Sequence, residues 1–409
     1  MAKRERLPEA NVWPIWLTRD PEWTEMNFEP TYRALFLGAG PQMQCGVGQF
    51  TRLLQERVEQ VEPGKSTALT LTRSEGSLGE IWRAVGAANT VICSFPIVAW
   101  KPVILRPLLA LAIAKLRGRN IVLIQHEWGG LNWIRRLTYL PAVLFADTIM
   151  MFSPLVRKEL ADDPAVGWTA RKCVLAPLPP NIEAPTGRTD SELCRRLAAA
   201  RREGRLVIGH FGSIYPGKQP NALLDIAAIV KQRGLKPLVV YIGSFIRGVD
   251  KVEGKFHARV AELGLSDDVI VSGYVASDQE VFGLFGEVDA FCYPLAEGLT
   301  ARRASILTCV QSGKPLIVTG PALADEFDHH PRFRALIDRG AIVLAARDGG
   351  NEAYADKIIS ALKQPAVQAP FDFDGWWRDV AQAIWRCCNA LTWRESAPDS
   401  AVRTPRAEK

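Results

Sequence analysis

The sequence predicts an α/β protein with two doubly wound domains that face each other across a cleft. Three observations support this prediction. A strand, a glycine-rich turn and a helix follow one another over residues 32–61, the same order restarts over residues 206–233, and prolines interrupt the pattern at residues 177–181. Apolar strands alternate with helical segments in both halves, which is typical of Rossmann-like parallel sheets covered on both faces.

The first half begins with a short apolar strand at residues 32–37 and a helix at residues 50–61 that has apolar residues on one face. We expect further strands at residues 66–71, 90–94, 120–125, 148–153 and 173–176, and a helix at residues 102–116. Residues 32–180 are assigned to this domain. Residues 1–31 are polar but contain three tryptophans, and we interpret them as an N-terminal extension.

The second half, residues 181–370, begins with a polar helix at residues 190–203 and then repeats the opening pattern. We expect strands at residues 206–211, 237–242, 269–272, 290–293, 315–319 and 341–344, a turn at residues 212–217, and helices at residues 221–233 and 305–312. An amphipathic helix at residues 376–391 dominates a closing segment, residues 371–394. Residues 395–409 lack large apolar groups and are predicted to be a disordered tail.

Composition excludes several classes of protein. The chain has 409 residues, of which 48% are hydrophobic and 23% charged, so it is neither disordered, collagen-like nor a small disulfide scaffold. The net charge, 50 − 44 = +6, is too small to indicate nucleic acid binding, but it suits anionic small ligands or an anionic membrane face.

Several features of the sequence bear on the cellular compartment of the protein. No run reaches the roughly 18 apolar residues of a spanning helix, and the start of the chain lacks the apolar core of a signal peptide. The eight cysteines show no C-x-x-C spacing and are expected to be reduced core thiols. These features predict a cytoplasmic protein, with peripheral contact at the inner membrane face as an additional expectation.

Ligands of open α/β sheets bind beyond the carboxyl ends of the strands, so the residues just after strands are the candidates for a site. Gly46-Val47-Gly48 precedes the first helix, where glycines let a ligand approach the backbone and the helix N-terminus favours an anion. The dinucleotide fingerprint G-x-G-x-x-G is not satisfied, because Gln42-Met43 follows Gly38-Ala39-Gly40. A simple tight turn is the alternative.

Histidine at a strand end is a second candidate. His126, at the end of the strand predicted for residues 120–125, can donate to or accept from a substrate hydroxyl or a leaving phosphate. A hydrogen-bonded surface histidine is the alternative. His210 lies in a predicted strand, and His329-His330 in a predicted polar loop.

The turn that opens the second half, GSIYPGK, resembles a phosphate loop but lacks its final hydroxyl residue, since Gln219 follows Lys218. Lys218 can still counter a diphosphate as a point charge. The alternative is an exposed lysine.

The most informative stretch runs from Glu297 to Ser305. Glu297 can accept hydrogen bonds from sugar hydroxyls, N–H groups around Gly298, Leu299 and Thr300 can face a diphosphate, and Arg302 and Arg303 add cationic donors. A structural loop is the alternative. Further on, Asp372-Phe373-Asp374 has a metal-binding spacing, but helix capping explains it better, and no metal site is predicted.

These motifs together resemble one enzyme family. FLGAG…CGVGQFTRLL, QHE, HFGSIYPGKQPNALLDIAAIV, VVYIGSF and the long stretch at residues 269–319 resemble the GT-B glycosyltransferases, specifically the retaining family 4 (group 1) enzymes, over about residues 32–390. The resemblance implies two Rossmann-like domains, a donor held mainly by the second domain, an acceptor held by the first, and a final helix that crosses back to the first.

The resemblance also implies roles for residues. Glu297 is similar to the first Glu of the E-x7-E motif, which contacts the donor sugar, whereas Ser305 stands in the position of the second Glu, which usually binds ribose. Lys218 matches the phosphate-binding lysine, but Ser213 stands near the position of an expected arginine, a charge that Arg302 or Arg303 would have to replace. The remaining carry-over is His126 near the transferred sugar and a donor-binding set of Gly46, Val47, Gly212, Ser213, Gly243, Tyr274, Val275, Gly298, Leu299, Thr300, Arg302 and Arg303.

The implied activity is transfer of a sugar from a nucleotide-diphospho-sugar to an acceptor hydroxyl with retention, without a metal and with no cofactor beyond that co-substrate. The acceptor is left open as a saccharide, a lipid carrier or a small molecule. Two alternatives remain: a catalytically silent GT-B protein that binds a partner, which Ser305 and Ser213 motivate, and a GT-B enzyme of another reaction, such as a nucleotide-sugar epimerase.

Overall fold

A computed structural model describes residues 33–40, 45–187, 189–246, 251–363 and 371–389. The expected N-terminal extension, Gln42-Met43 of the glycine-rich turn and the expected C-terminal tail lie outside these residues. Among the helices that the structure describes, none combines the length and the apolar character needed to cross a bilayer.

The first lobe is a six-stranded parallel sheet in the order β2-β1-β3-β4-β5-β6. Its central strands are buried on both faces, which is why the sequence there forms nearly continuous apolar runs. The strands are β1 (Ala34–Gly38), β2 (Ser66–Thr70), β3 (Thr90–Phe95), β4 (Asn120–Gln125), β5 (Thr148–Met151) and β6 (Cys173–Leu175). The helices are α1 (Gly46–Val61), α2 (Leu78–Ala87), α3 (Leu105–Leu116), α4 (Trp133–Phe145) and α5 (Pro154–Ala161).

The second lobe is another six-stranded parallel sheet, in the order β12-β11-β10-β7-β8-β9. Its strands are β7 (Leu206–Phe211), β8 (Pro237–Ile242), β9 (Val269–Val271), β10 (Ala290–Tyr293), β11 (Leu316–Thr319) and β12 (Ile342–Ala345). Its helices are α6 (Glu192–Arg202), α7 (Pro220–Gln232), α8 (Val252–Glu262), α9 (Asp278–Gly286), α10 (Ala304–Val310), α11 (Pro331–Asp338) and α12 (Gly350–Ala361). Two Rossmann-like sheets confirm the predicted fold class.

Each sheet has one switch point, where the strand order reverses and a crevice opens beyond the strand ends. In the first sheet it lies between β1 and β3, and in the second between β7 and β10. The segments that follow these strands carry the glycine turn, the Lys218 turn and the Glu297 loop. The topology therefore brings the main candidate segments to the two crevices.

A last helix, α13 (Phe373–Asn389), contacts both lobes. Trp376 packs in the second-lobe core and stacks on Phe371, with ring centroids 5.1 Å apart, whereas Trp377 packs on Phe50 of α1 at 5.6 Å. The helix begins one turn earlier than expected because Asp372 caps it: Asp372 Oδ1 accepts a hydrogen bond from the Gly375 N–H at 2.9 Å. The predicted capping role of Asp372 is confirmed.

Candidate functional site

A cleft of about 530 Å³ lies between the two lobes, at the carboxyl ends of their strands. The first lobe contributes the start of α1, and the second lobe contributes the segments after β7, β8 and β9. Lining residues from the predicted set are Gly46, Gly212, Ser213, Gly243, Tyr274 and Val275, joined by Gln49, Arg52, Ser244 and Asp278. Val47 instead packs against the first-lobe core.

Two glycines form the backbone floor of this cleft. A side chain at Gly243 would place its Cβ 2.3 Å from the Gly212 carbonyl oxygen, and one at Gly212 would place its Cβ 2.7 Å from Lys218 Nζ. Gly212 also has a φ of +100°, which disfavours any other residue. The two strand ends can approach this closely only because position 243 is glycine, and glycine at position 212 leaves room for the Lys218 ammonium group.

Lys218 lies buried beneath Gly212, with 5% of its surface exposed. The alternative of an exposed lysine is therefore wrong. Its Nζ donates to the Phe211 carbonyl oxygen at 3.1 Å and lies 5.8 Å from the ring centroid of Tyr293. Burial, followed by the nearby charge of Arg303, lowers the pKa of Lys218 to about 7. A bound anion would relieve both effects.

Arg303 connects the Lys218 turn to Glu297. Its Nη1 donates to the Tyr215 hydroxyl at 2.6 Å, and its Nη2 donates to Glu297 Oε1. Arg302 donates to both Glu297 oxygens, at 2.9 and 3.1 Å. Burial opposes ionisation of Glu297, but the charges and hydrogen bonds of the two arginines outweigh it and hold its pKa below the usual value. Glu297 and Lys218 thus belong to one polar cluster.

The N–H groups after Glu297 are already engaged within the protein. The Gly298 N–H donates to the Leu295 carbonyl at 3.1 Å, and the Leu299 N–H donates to the Thr319 carbonyl at 2.9 Å. The prediction that these N–H groups face a diphosphate is therefore wrong for both residues. The tight turn requires glycine at position 298, where φ is +83° and a Cβ would lie 2.3 Å from the Gly320 carbonyl oxygen.

Other polar atoms of the same cluster lack a partner. The hydroxyl oxygen of Thr300 and the Nε atoms of Arg302 and Arg303 are buried without a hydrogen bond. Ser305 lies beside Gly212, since a Cβ on Gly212 would be 3.6 Å from Ser305 Cβ. Buried polar atoms are costly unless they are paired, so these atoms are the ones in the cluster that can accept a further polar partner.

From the first lobe, His126 and Glu127 extend beyond β4 toward Arg302. The His126 ring packs against Phe50 and Phe152, each with its centroid 5.1 Å away, and its Nε2 is buried without a partner. Burial, with a further contribution from the Arg302 charge, lowers the pKa of His126 to about 3, so the imidazole is neutral. Glu127 Oε2 lies 4.0 Å from Arg302 Nη1, which joins the two lobes at this point.

Sequence reasoning missed two members of the site. Tyr215 lies inside the GSIYPGK turn, and only its hydrogen bond to Arg303 reveals a role. Asn181, in the connection between the lobes, donates from Nδ2 to the Gly46 carbonyl at 3.0 Å, while its own Oδ1 is buried without a partner. No local pattern marks Asn181, because its partner is far away in the sequence.

No protein-family model and no curated protein matches the chain. Solved structures do match it. HepE from Anabaena, in complex with UDP-glucose, has a TM-score of 0.53 at 15% identity over 89% of this chain and 99% of that one. Sucrose-phosphate synthase from Thermosynechococcus elongatus has a TM-score of 0.51 at 13% identity, over 89% and 96% of the two chains. A glycosyltransferase from Rickettsia africae has a TM-score of 0.50 at 12% identity, over 90% and 97%. At these identities the likeness shows the fold, which is GT-B.

Proposed function

We propose that the chain is a glycosyltransferase that moves a sugar from a nucleoside diphosphate to an acceptor hydroxyl. The observation that carries the proposal is the buried cation Lys218 beneath a glycine-floored interlobe cleft, linked through Arg303 to Glu297. Support also comes from HepE, a similar GT-B protein whose structures contain UDP, UDP with glucose, and UDP-glucose.

Departure of the nucleoside diphosphate builds negative charge on its phosphates. In our proposal, fixed cations neutralise that charge: Lys218 from below, and Arg302 and Arg303 from the side of the sugar. Within the described ranges, no group of three or more His, Cys, Asp or Glu side chains has metal-binding geometry. We propose that transfer proceeds on these protein cations alone, and EDTA in the assay tests this.

Glu297 and His126 are the residues that we propose contact the donor sugar. Both oxygens of Glu297 are engaged by arginine, which makes this carboxylate an orienting group for sugar hydroxyls rather than a nucleophile. The neutral His126, which lies on the first lobe opposite Glu297, offers a free Nε2 to a sugar hydroxyl. We propose attack on the face that the diphosphate leaves, with the departing phosphate accepting the proton of the acceptor, so that configuration is retained. The anomer of the product, read by NMR, tests retention.

A thermal-shift experiment with nucleoside diphosphates tests donor binding. At a concentration of 100 Kd, the cognate diphosphate should stabilise the chain by about 2.7 kcal/mol, because it binds only the folded state. The matching nucleosides serve as controls, since they lack the phosphates that the buried cations attract. Equal shifts for a nucleoside and its diphosphate would contradict the proposed phosphate site.

One observation favours the alternative of a silent GT-B protein: Ser305 offers a weak hydrogen-bonding group where the resemblance implies a carboxylate. The two functions differ in turnover. A transferase releases nucleoside diphosphate from a cognate donor, whereas a silent protein binds the donor and leaves it intact. An epimerase changes the sugar without releasing the diphosphate.

We also propose peripheral contact with an anionic membrane. Two neighbouring helices of the first lobe expose an apolar face, which consists of Leu105 and Leu109 on α3 and Trp133, Ile134 and Leu137 on α4. Trp133 is 73% exposed. Lys101, shortly before α3, and Arg135, within α4, add positive charge to these helices, a combination that suits an anionic lipid surface. The proposed location is cytoplasmic, which the mostly buried cysteine thiols support.

Vesicle sedimentation tests this contact. The chain should pellet with vesicles that contain anionic phospholipid and much less with neutral ones. The double variant Trp133→Ser, Leu137→Ser should bind the anionic vesicles at least tenfold more weakly, on the scale of about 25 cal/mol for each Å² of apolar surface kept from water. Trp168→Ser, at another exposed tryptophan, is the control. Unchanged binding of the double variant would refute the contact.

A further inference from the structure

A loop of the second lobe joins the first lobe at the edge formed by β5 and α5. Glu326, which lies between β11 and α11, is only 1% exposed. Its Oε2 accepts a hydrogen bond from the Leu155 N–H of the first lobe at 3.2 Å, and its Oε1 accepts one from the Ala301 N–H of the second lobe at 2.9 Å. A single buried carboxylate therefore bridges the lobes.

The first-lobe partner of Glu326 is the start of α5. This helix has no cap of its own, because the Ser153 side chain makes no capping hydrogen bond and no acidic residue lies in the first turn. The first N–H groups of a helix need acceptors, and the partial positive charge there favours a carboxylate. Glu326, which belongs to the second lobe, supplies both the acceptor and the negative charge.

Two histidines of the same loop add to this contact. His329 Nε2 lies 3.1 Å from the Phe152 carbonyl oxygen, and His330 Nε2 lies 3.1 Å from the Leu178 carbonyl oxygen. A carbonyl only accepts, so Nε2 is the protonated nitrogen in both rings. The two histidines lie in a loop, as expected, but His330 is fully buried and packs on Trp376. Glu326, His329 and His330 therefore contact the first lobe from the same loop.

The second-lobe partner of Glu326 belongs to the candidate site. Ala301 lies in the loop that carries Glu297, Arg302 and Arg303, directly before the two arginines. Movement of the first lobe away from Glu326 would remove Leu155 as a donor to the carboxylate and would leave the Ala301 N–H, which belongs to this loop. The position of the lobes and the geometry of the loop thus share one hydrogen-bonding group.

We propose that Glu326 is a positioning residue, which holds the Glu297–Arg303 loop in its reactive geometry when α5 of the first lobe is docked. Its catalytic consequence rests on the proposed function, but the bridge itself does not. The carboxylate is required because it accepts at both oxygens. Glutamine has one accepting oxygen, and its NH₂ would face an N–H donor, so Glu326→Gln leaves Leu155 or Ala301 unpaired.

Hydrogen–deuterium exchange on the full chain, without ligand, tests the bridge. In Glu326→Gln, peptides that contain Leu155 and peptides that contain Ala301 should both exchange at least tenfold faster, while core strands of the two lobes keep their protection. Glu352→Gln, an exposed glutamate that pairs with Arg233 of its own lobe, is the control and should change neither. Unchanged exchange at Leu155 would overturn the bridge. If Glu326→Gln does not fold, Glu326→Asp, which is too short to span both donors, should release at least one of the two peptides, and full protection of both would overturn the bridge.

Transfer kinetics test the coupling separately. In Glu326→Gln, kcat should fall at least tenfold while the donor concentration at half-saturation changes less than threefold, because the cleft that binds the nucleotide is intact. Faster exchange at both peptides with an unchanged kcat would overturn the positioning role. If the wild-type chain showed no transfer with any donor, the proposed function would fail, yet exchange at Leu155 would still decide whether the lobes are bridged.

Discussion

Replacing Lys218 by methionine should lower kcat by about 100- to 1000-fold, the effect of removing one pre-positioned group that stabilises transition-state charge. The fold should not suffer. Lys218 is a buried cation whose Nζ donates to one carbonyl, that of Phe211, while Arg303 repels it. Methionine fills a similar volume without the cost of burying a charge, so the melting temperature should stay the same or rise.

The pH dependence of stability and of diphosphate binding provides a second test of the role of Lys218. The pKa of Lys218 is lowered from 10.5 to about 7 in the folded protein. Between those values the unfolded chain holds a proton that the folded chain lacks, so this group makes stability rise with pH in that window. Diphosphate binding favours the cation and takes up a proton, so affinity should fall as pH rises above about 7.

Methionine at position 218 should flatten both pH profiles, whereas Lys255→Met, at an exposed lysine of the same lobe, should leave the wild-type curves in place. Binding titrations at several pH values and thermal melts measure the two profiles. A variant at position 218 with wild-type turnover would remove Lys218 from the mechanism and leave the buried cation without an explanation.

Much of the fold could be predicted because its strands are buried on both faces. Apolar runs such as residues 120–125 and 206–211 became β4 and β7 with the expected bounds. Helices α2 and α5 have no predicted bounds, since each is short. The start of α2 depends on a capping box between Ser77 and Glu80, and the start of α5 on an acceptor from the other lobe. The second of these is a tertiary contact, which no local pattern contains.

The candidate site, like the fold, could be predicted only in part. Glycine turns and charged residues after strands could be found, because topology alone brings strand ends together. The hydrogen-bonding partners and the burial of each group could not be predicted. The engaged N–H group of Leu299 and the burial of His330 depend on partners that lie far away in the sequence, Thr319 and Trp376. For the same reason Glu326 had no signal of its own.

Trp377→Ala should cost about 3–5 kcal/mol of unfolding free energy, the range for removing a large buried aromatic side chain. Trp377 is fully buried, packs on Phe50 and donates from Nε1 to the Pro180 carbonyl oxygen at 3.0 Å. Alanine would leave a cavity beside α1 and an unpaired carbonyl in the connection between the lobes. Urea unfolding followed by circular dichroism measures the loss, and Trp168→Ala, at a tryptophan that is 51% exposed, should cost less than about 1 kcal/mol.

The shape of the transition carries more information than its midpoint. Trp376 is anchored in the second lobe and the next residue along α13 is anchored against the first, so one helix turn ties two cores together. Removing the first-lobe anchor should let the lobes unfold at different urea concentrations and split one transition into two, which fluorescence and circular dichroism would follow differently. A large loss of stability with a single coincident transition would mean that the Glu326 bridge and the Pro180 connection couple the lobes without help from α13. In that case Glu326→Gln combined with Trp377→Ala should produce the split.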